Sequence, residues 1–392
     1  MKLQHTNLVA EGAQPTASKA TSMDKEVFSN IHKIIERDSK STTYKFALLR
    51  GVIEIIQDHS PYVTFQDDRV HFPTGLLIEK WLLYYYPLLE SKTILPQING
   101  DAQLAFGKAF EKIVLAYQDI GGFSAFFNDL KNKGIPRSMQ ADFFDLAKIL
   151  RNTITQMPMK YIGRSISEDY YSIFQFENSV LRKRKSEMDL EFLIQNFGTF
   201  SIPRDYYEAF KILGSFINGQ DSILFKWAEF SVIASRRDLS IAKVVNEVLR
   251  SPITQREISE SKKIYREILN REGQVFCVWT GRKISTYVID HVIPFSIWKN
   301  NDLWNLLPSD SKMNNQKRDK IPSPDLIAKQ KDLILQYWEI LYQSQQNRFQ
   351  KEFQIALMGN RPFESWRANG IQQLQSSCDY LIANRGFGEW KI

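Results

Sequence analysis

The sequence predicts an α+β protein, mostly α-helical, with a small strand, loop, strand, helix unit near the C-terminal third. Three observations predict it. Apolar residues recur at helical spacing through most of the 392 residues, of which 43% are hydrophobic. Runs of β-formers are short and few. One stretch, "YVIDHVIPFSIWKNNDLWNLLPSDSKMNNQKRDKIPS" (287–323), joins two short apolar runs to a dense set of polar side chains.

The chain divides by texture. Residues 1–22, with "QHTNLVAEGAQPTASKATS", are polar and rich in Ala, Ser and Thr without apolar periodicity, which predicts a disordered segment, and they contain no apolar core of a signal peptide. Residues 23–170 read as a helical domain. In "AFGKAFEKIVLAY", Phe106, Phe110, Ile113, Val114 and Tyr117 form one stripe, the mark of a scaffold helix. "DHSPYVTFQDDRVHFPTG" interrupts it with extended pieces at 62–65 and 70–72. "GLLIEKWLLYYYPLL" is the most apolar stretch, but Glu79 and Lys80 break it and it falls short of the roughly 20 residues of a membrane span, so it reads as a core helix.

Residues 171–272 read as mixed and then helical. "YYSIFQF" and "FGTFSIP" are extended in character, and between them Arg182, Lys183, Arg184 and Lys185 stand consecutively. These four cations suit a nucleic-acid contact; a solvated charged face is the alternative, and the same holds for Arg236 and Arg237. Helices resume from Arg204 to Arg271, and Gly273 is placed to cap the last of them. Residues 324–392 read as C-terminal helices packed on the unit at 273–323, opened by Ser323 as N-cap and Pro324 as the first helical residue.

Composition narrows the function classes. Lys and Arg exceed Asp and Glu by 51 to 44, a net charge of +7, which favours polyanionic partners. Cys277 and Cys378 form no Cys-x-x-Cys pair, so neither a disulfide framework nor a four-ligand zinc knuckle is signalled, and a reducing cytoplasm is expected. No Gly-x-x-x-x-Gly-Lys-Ser/Thr run occurs, so any ATP-driven step would come from a partner protein.

The chemistry gathers in 287–323. Tyr287, Val288 and Ile289 are β-formers, so Asp290 and His291 should sit at a strand end. Pro294 breaks that strand, "LWNLLP" suggests a second from about Leu303 to Leu307, and Ser309 or Asp310 can cap a helix that projects Asn314 and, one turn later, Lys317 and Arg318. A carboxylate and an amide oxygen are hard donors suited to Mg²⁺. An imidazole can accept a proton from water at neutral pH. Simple alternation sends Asp290 and His291 to opposite sides of the strand, so a shared site requires the strand end to bend.

"DHVIPFSIWKNNDLWNLLPSDSKMNNQKRDKIPS" resembles the HNH, or ββα-metal, nuclease motif: an Asp-His pair, a middle Asn and a helix-borne Asn in that order. The likeness is greatest to the HNH domain of RNA-guided CRISPR nucleases, through Asp-His-x-x-Pro, the helical Asn-x-x-Lys and the Pro-Ser that follows; "CVWTG" (277–281) matches the hairpin before the strand in many relatives. The resemblance implies that Asp290 and Asn314 ligate a divalent ion, Mg²⁺ or Mn²⁺, with Asn315 as the alternative ligand. It implies that His291 is the general base, that Asn305 bonds loop backbone to hold the histidine, and that Lys317, with Arg318 beside it, meets phosphate. Zinc-binding cysteines of many relatives are absent, so Phe276, Trp279, Ile293, Trp298 and Trp304 are expected to hold the module by apolar packing, with Cys277 in the core. The function implied is cleavage of DNA to 5′-phosphate and 3′-hydroxyl ends. An RNA-cleaving toxin and a catalytically silent binding module are the alternatives. The architecture resembles bacterial restriction or phage-defence nucleases, with a homodimer or partner protein completing a double-strand break and no membrane association.

Overall fold

Amphipathic helices fill two hydrophobic cores in the computed structural model, which describes residues 17–36, 42–91, 96–98, 103–162, 172–177, 187–219, 222–236, 239–248 and 255–392. The first core runs from Val27 to Val244 and the second from Ile264 to Trp390. The protein is α+β and mostly helical, with the small strand, loop, strand, helix unit in the C-terminal region. No helix among the described residues is long and apolar enough to cross a membrane.

Helix Thr74–Glu90 is the spine of the first core. It buries Leu77, Ile78, Trp81, Leu82, Tyr85 and Tyr86 completely, and the two charges in its middle are paired: Glu79 meets Lys131 at 2.7 Å and Lys80 meets Asp58 at 2.6 Å. A Cβ on Gly75 would stand 2.2 Å from the Leu193 backbone, so only glycine lets helix Leu190–Asn196 approach this closely. Helix Gly107–Gln118 buries Phe110, Ile113, Val114 and Tyr117, the stripe its spacing predicts.

Four strands brace this core: β1 (Thr64–Gln66), β2 (Arg69–Pro73), β3 (Gln175–Glu177) and β4 (Thr199–Pro203), in the antiparallel order β1-β2-β4-β3. Phe72 pairs with Phe200 across β2 and β4, and their rings stack at 5.0 Å. The extended segments around 65, 72, 176 and 200 thus belong to one sheet.

One local expectation is corrected. Helix Ala17–Glu36 begins inside the segment expected to be disordered; once a helix is nucleated, extension through residues such as Ala17, Lys19 and Ala20 costs little. The basic run Arg182–Lys185 lies outside the described residues.

The two cores meet at a polar seam. His59 stacks on Tyr380 at 4.8 Å with the rings 9° apart, and its Nδ1 lies 3.2 Å from Ser377 Oγ. Lys351 bridges to Asp189 at 3.1 Å. Gly359, at φ +64, passes so near Pro61 that a Cβ would meet its carbonyl at 2.4 Å.

Candidate active site

Helix Ser259–Glu272 ends on Gly273 in the left-handed conformation (φ 69), and the chain then turns into the hairpin of β5 (Val275–Phe276) and β6 (Lys283–Ile284). Gly281, also left-handed, closes it by donating to the Cys277 carbonyl at 2.8 Å. Cys277 is fully buried, and its sulfur accepts from the Asp310 N–H at 3.3 Å. The hairpin leads to β7 (Val288–His291), which pairs antiparallel with β8 (Leu306–Ser309), so that Asp290 faces Leu307 and His291 faces Leu306. The second strand starts later than its sequence suggests, because Leu303–Asn305 first make one 3₁₀ turn. Helix Ser311–Lys317 follows, capped by the Asp310 carboxylate, which accepts from Lys312 N–H at 2.8 Å.

Aromatic packing holds this unit. Trp279 and Trp304 are buried, Ile293 is fully enclosed, and Phe276 and Trp298 are half-buried against the same core. The C-terminus completes it: β10 (Glu389–Trp390) runs parallel to β9 (Ile321–Pro322), and Trp390 meets Trp279 edge-on at 5.2 Å. Ser323 caps helix Pro324–Lys329 by accepting from Leu326 N–H at 3.1 Å.

Asp290 and His291 are almost completely enclosed, at 4% and 5% exposure. As alternation requires, they take different partners. Asp290 Oδ2 accepts from Trp279 Nε1 at 2.6 Å and Oδ1 accepts from Lys317 Nζ at 3.0 Å. Burial raises the Asp290 carboxyl above its ordinary value, while Lys317 and the Trp279 N–H pull it back down. His291 Nε2 lies 3.3 Å from Asn301 Oδ1, and its ring meets Phe295 edge-on at 5.6 Å. Burial pushes the imidazole down to about 4, helped by the charges of Arg256 and Lys317 and opposed by Asn301, so it is neutral at pH 7.

Asn305 has no exposed surface. Its Oδ1 accepts from the Ile293 N–H at 2.8 Å, its Nδ2 donates to the Ile293 carbonyl at 3.0 Å, and its own carbonyl accepts from Val292 N–H at 2.8 Å. Three bonds therefore fix the chain directly behind His291. Asn314, Asn315 and Arg318 line an open cleft of about 850 Å³ with Arg256, Ser296 and Asp319; Asp290 and His291 are not part of its lining. Lys317, expected at phosphate, lies elsewhere. Its side chain is 1% exposed and its ammonium donates to Asp290 and to the His291 carbonyl, so that Lys317 packs on β7 while Asn314, one turn earlier, stays at the open cleft.

Two features escaped sequence reasoning. Asn301, the histidine's partner, is one of several asparagines with nothing local to distinguish it, and Arg256 lies outside the motif altogether. The loop that carries Asn301 is pinned from the C-terminal helices: Glu352 accepts from Leu303 N–H at 2.7 Å, and Arg348 donates to the Asn301 carbonyl at 3.2 Å.

A carboxylate and an amide oxygen are donor types that a hard divalent ion takes. Both Asp290 oxygens are engaged, by Trp279 and by Lys317, and only the Asn314 amide borders the cleft, so an ion held by both residues would have to take the place of the Lys317 ammonium. Among the described residues no group of three or more His, Cys, Asp and Glu is placed to hold a metal. An ion here would therefore draw further ligands from water and phosphate oxygens, as Mg²⁺ characteristically does.

Residues 277–323 match a family described as HNH endonuclease, and residues 24–248 match a domain of unknown function, DUF8808. No curated protein and no solved structure matches the chain. With more than half of its 392 residues inside that match, the chain belongs to the DUF8808 family, and behind that domain it carries an HNH endonuclease module.

Proposed function

We propose that this protein is a metal-dependent DNA endonuclease in which His291 takes the proton from the attacking water. The observation that carries the reading is a neutral, enclosed imidazole that follows a buried carboxylate in the chain, within the HNH-matched segment and near an open cleft that presents two amides, two guanidinium groups and one carboxylate. Asp290 and Asn314 would hold Mg²⁺ or Mn²⁺. When bound, that ion supplies positive charge to the phosphate and to the departing oxygen. The protein's own groups do the rest.

His291 keeps a free lone pair at neutral pH because burial disfavours its charged form. Asn305 and Asn301 hold the ring's backbone and edge, so that the base does not have to be ordered at each turnover. Arg318 and Asn314 face the cleft where a phosphodiester would lie. The net charge of +7 favours the approach of a polyanion. One such centre cuts one strand, so a double-strand break requires a second copy or a partner protein. The setting we propose is bacterial restriction or phage defence, a reading that rests on the architecture alone, an HNH module behind a separate helical domain.

The test is supercoiled plasmid incubated with the full chain and Mg²⁺ or Mn²⁺, with EDTA and His291→Ala as controls and structured RNA alongside. Nicked plasmid that depends on both the metal and His291 is the expected result. RNA cut in preference to plasmid would move the substrate class, and intact nucleic acid under every metal would reduce the module to a binding unit.

A further inference from the structure

Gln255–Ile258, the strap that leads into helix Ser259–Glu272, lies outside both matched segments, yet it reaches the active site. Its carbonyl at Gln255 accepts from Asn301 Nδ2 at 3.1 Å, the same asparagine whose oxygen faces His291. That bond anchors the strap to the loop beside the base. The next residue, Arg256, sends its guanidinium over Phe295, 6.0 Å from the ring centroid, and lines the cleft, which also holds the Asp319 carboxylate; among the described residues it makes no hydrogen bond or ion pair, with Asp319 or any other group. The same Phe295 ring meets His291.

We infer that Arg256 is a phosphate clamp of this active site, delivered by the strap, which grips the non-bridging oxygens of the phosphodiester that the centre cuts. This rests on the proposed nuclease reading and adds to it a contact that the HNH segment does not contain. Three considerations support it. The strap holds this arginine at a concave surface that also carries Arg318, Asn314 and Asp319, two guanidinium groups against one carboxylate, which leaves the surface with an excess of positive charge. A guanidinium presents paired donors that match two phosphate oxygens, which an ammonium cannot do. The motif's own lysine is unable to serve, since Lys317 is buried against Asp290.

The experiment uses the full chain and a fluorescent DNA duplex. Binding is measured in EDTA over a range of salt in the His291→Ala background, with and without Arg256→Ala, and turnover is measured in Mg²⁺ for Arg256→Ala and Arg256→Lys in the active chain. Loss of the arginine should reduce the slope of log Kobs against log salt by about one. It should lower kcat about 100-fold, and Arg256→Lys should recover affinity more than turnover. Arg271→Ala, at an exposed position paired with Glu272, serves as the control and should change neither. An unchanged slope and unchanged kcat in Arg256→Ala would overturn the inference. If the active chain cuts nothing, the nuclease reading fails on its own, and the slope still decides: a drop of about one keeps Arg256 as a phosphate contact, and no drop removes it.

Discussion

The Lys317 ammonium stands 3.0 Å from Asp290 Oδ1, and the two side chains are 1% and 4% exposed. A pair this enclosed is held by mutual need. Removing one partner leaves the other charged, or forces it to neutralise, inside the module. Lys317→Met should therefore lower unfolding free energy by about 3–5 kcal/mol. Lys317→Met combined with Asp290→Leu should regain most of that loss, since neither charge is then left alone. Urea denaturation of the two variants decides it. A lysine whose business was phosphate would leave stability unchanged and weaken DNA binding instead.

Asn305 has a different kind of debt. Its amide satisfies both the N–H and the carbonyl of Ile293 in a region without solvent. Asn305→Ala strands two backbone groups, each costing about 1–3 kcal/mol when left unpaired. The variant should unfold about 2–5 kcal/mol more easily, and amide exchange at Ile293 should accelerate by a larger factor than in helix Thr74–Glu90. Equal acceleration throughout would mean that the asparagine stabilises the fold without specifically pinning this loop.

What could be read from the sequence was what lies close along it. Asp290, His291, Asn305 and Asn314 fall within a short segment whose strand and helix formers dictate the order of elements, so their spacing was visible in the letters alone. The helical spacing of Asn314 and Lys317 was visible too, but not what each would meet, Asn314 the cleft and Lys317 the Asp290 carboxylate, which is set by the packing of a seven-residue helix on β7. Contacts across long separations left no local trace. β2 pairs with β4 from more than a hundred residues away, Arg348 reaches Asn301, and Gln255 reaches it from the other side. Periodicity reports which face of an element is buried and says nothing of its partner.

Asn301 supplies a test of orientation. Its Nδ2 donates to the Gln255 carbonyl, which leaves Oδ1 to face His291 Nε2. Nε2 must then carry the proton, and Nδ1 is the nitrogen left to accept one from water. Asn301→Leu removes this direction while disturbing only a half-buried side chain. Plasmid nicking should slow about 100-fold, a loss in the range of general acid–base contributions, with stability lowered by no more than the about 1–3 kcal/mol of one unpaired Nε2–H. Wild-type rates in the variant would show that Asn305 and the strand suffice to aim the ring.

The seam between the two cores carries a pH dependence of its own. Burial pushes the His59 imidazole down to about 4; the Lys211 charge adds to this and the Asp379 charge opposes it. The unfolded chain protonates the same ring near its ordinary value of about 6.5. Between those two values the unfolded state binds more protons than the folded state, so stability rises with pH across the window. The contribution is fully present above about pH 6.5 and is lost as pH falls towards 4. One group in this position gives a slope of about 1.4 kcal/mol per pH unit. His59→Asn removes the titration, and asparagine tolerates the left-handed backbone at this position (φ 50). Urea midpoints taken from about pH 5 to pH 6 should therefore rise less steeply in the variant than in the wild type, even though its stack on Tyr380 is gone at every pH. His291, held down to a similar value, titrates in both proteins and cancels in the difference. Parallel curves would mean that His59 is free to take up a proton where it sits, and that the seam opens before the fold does.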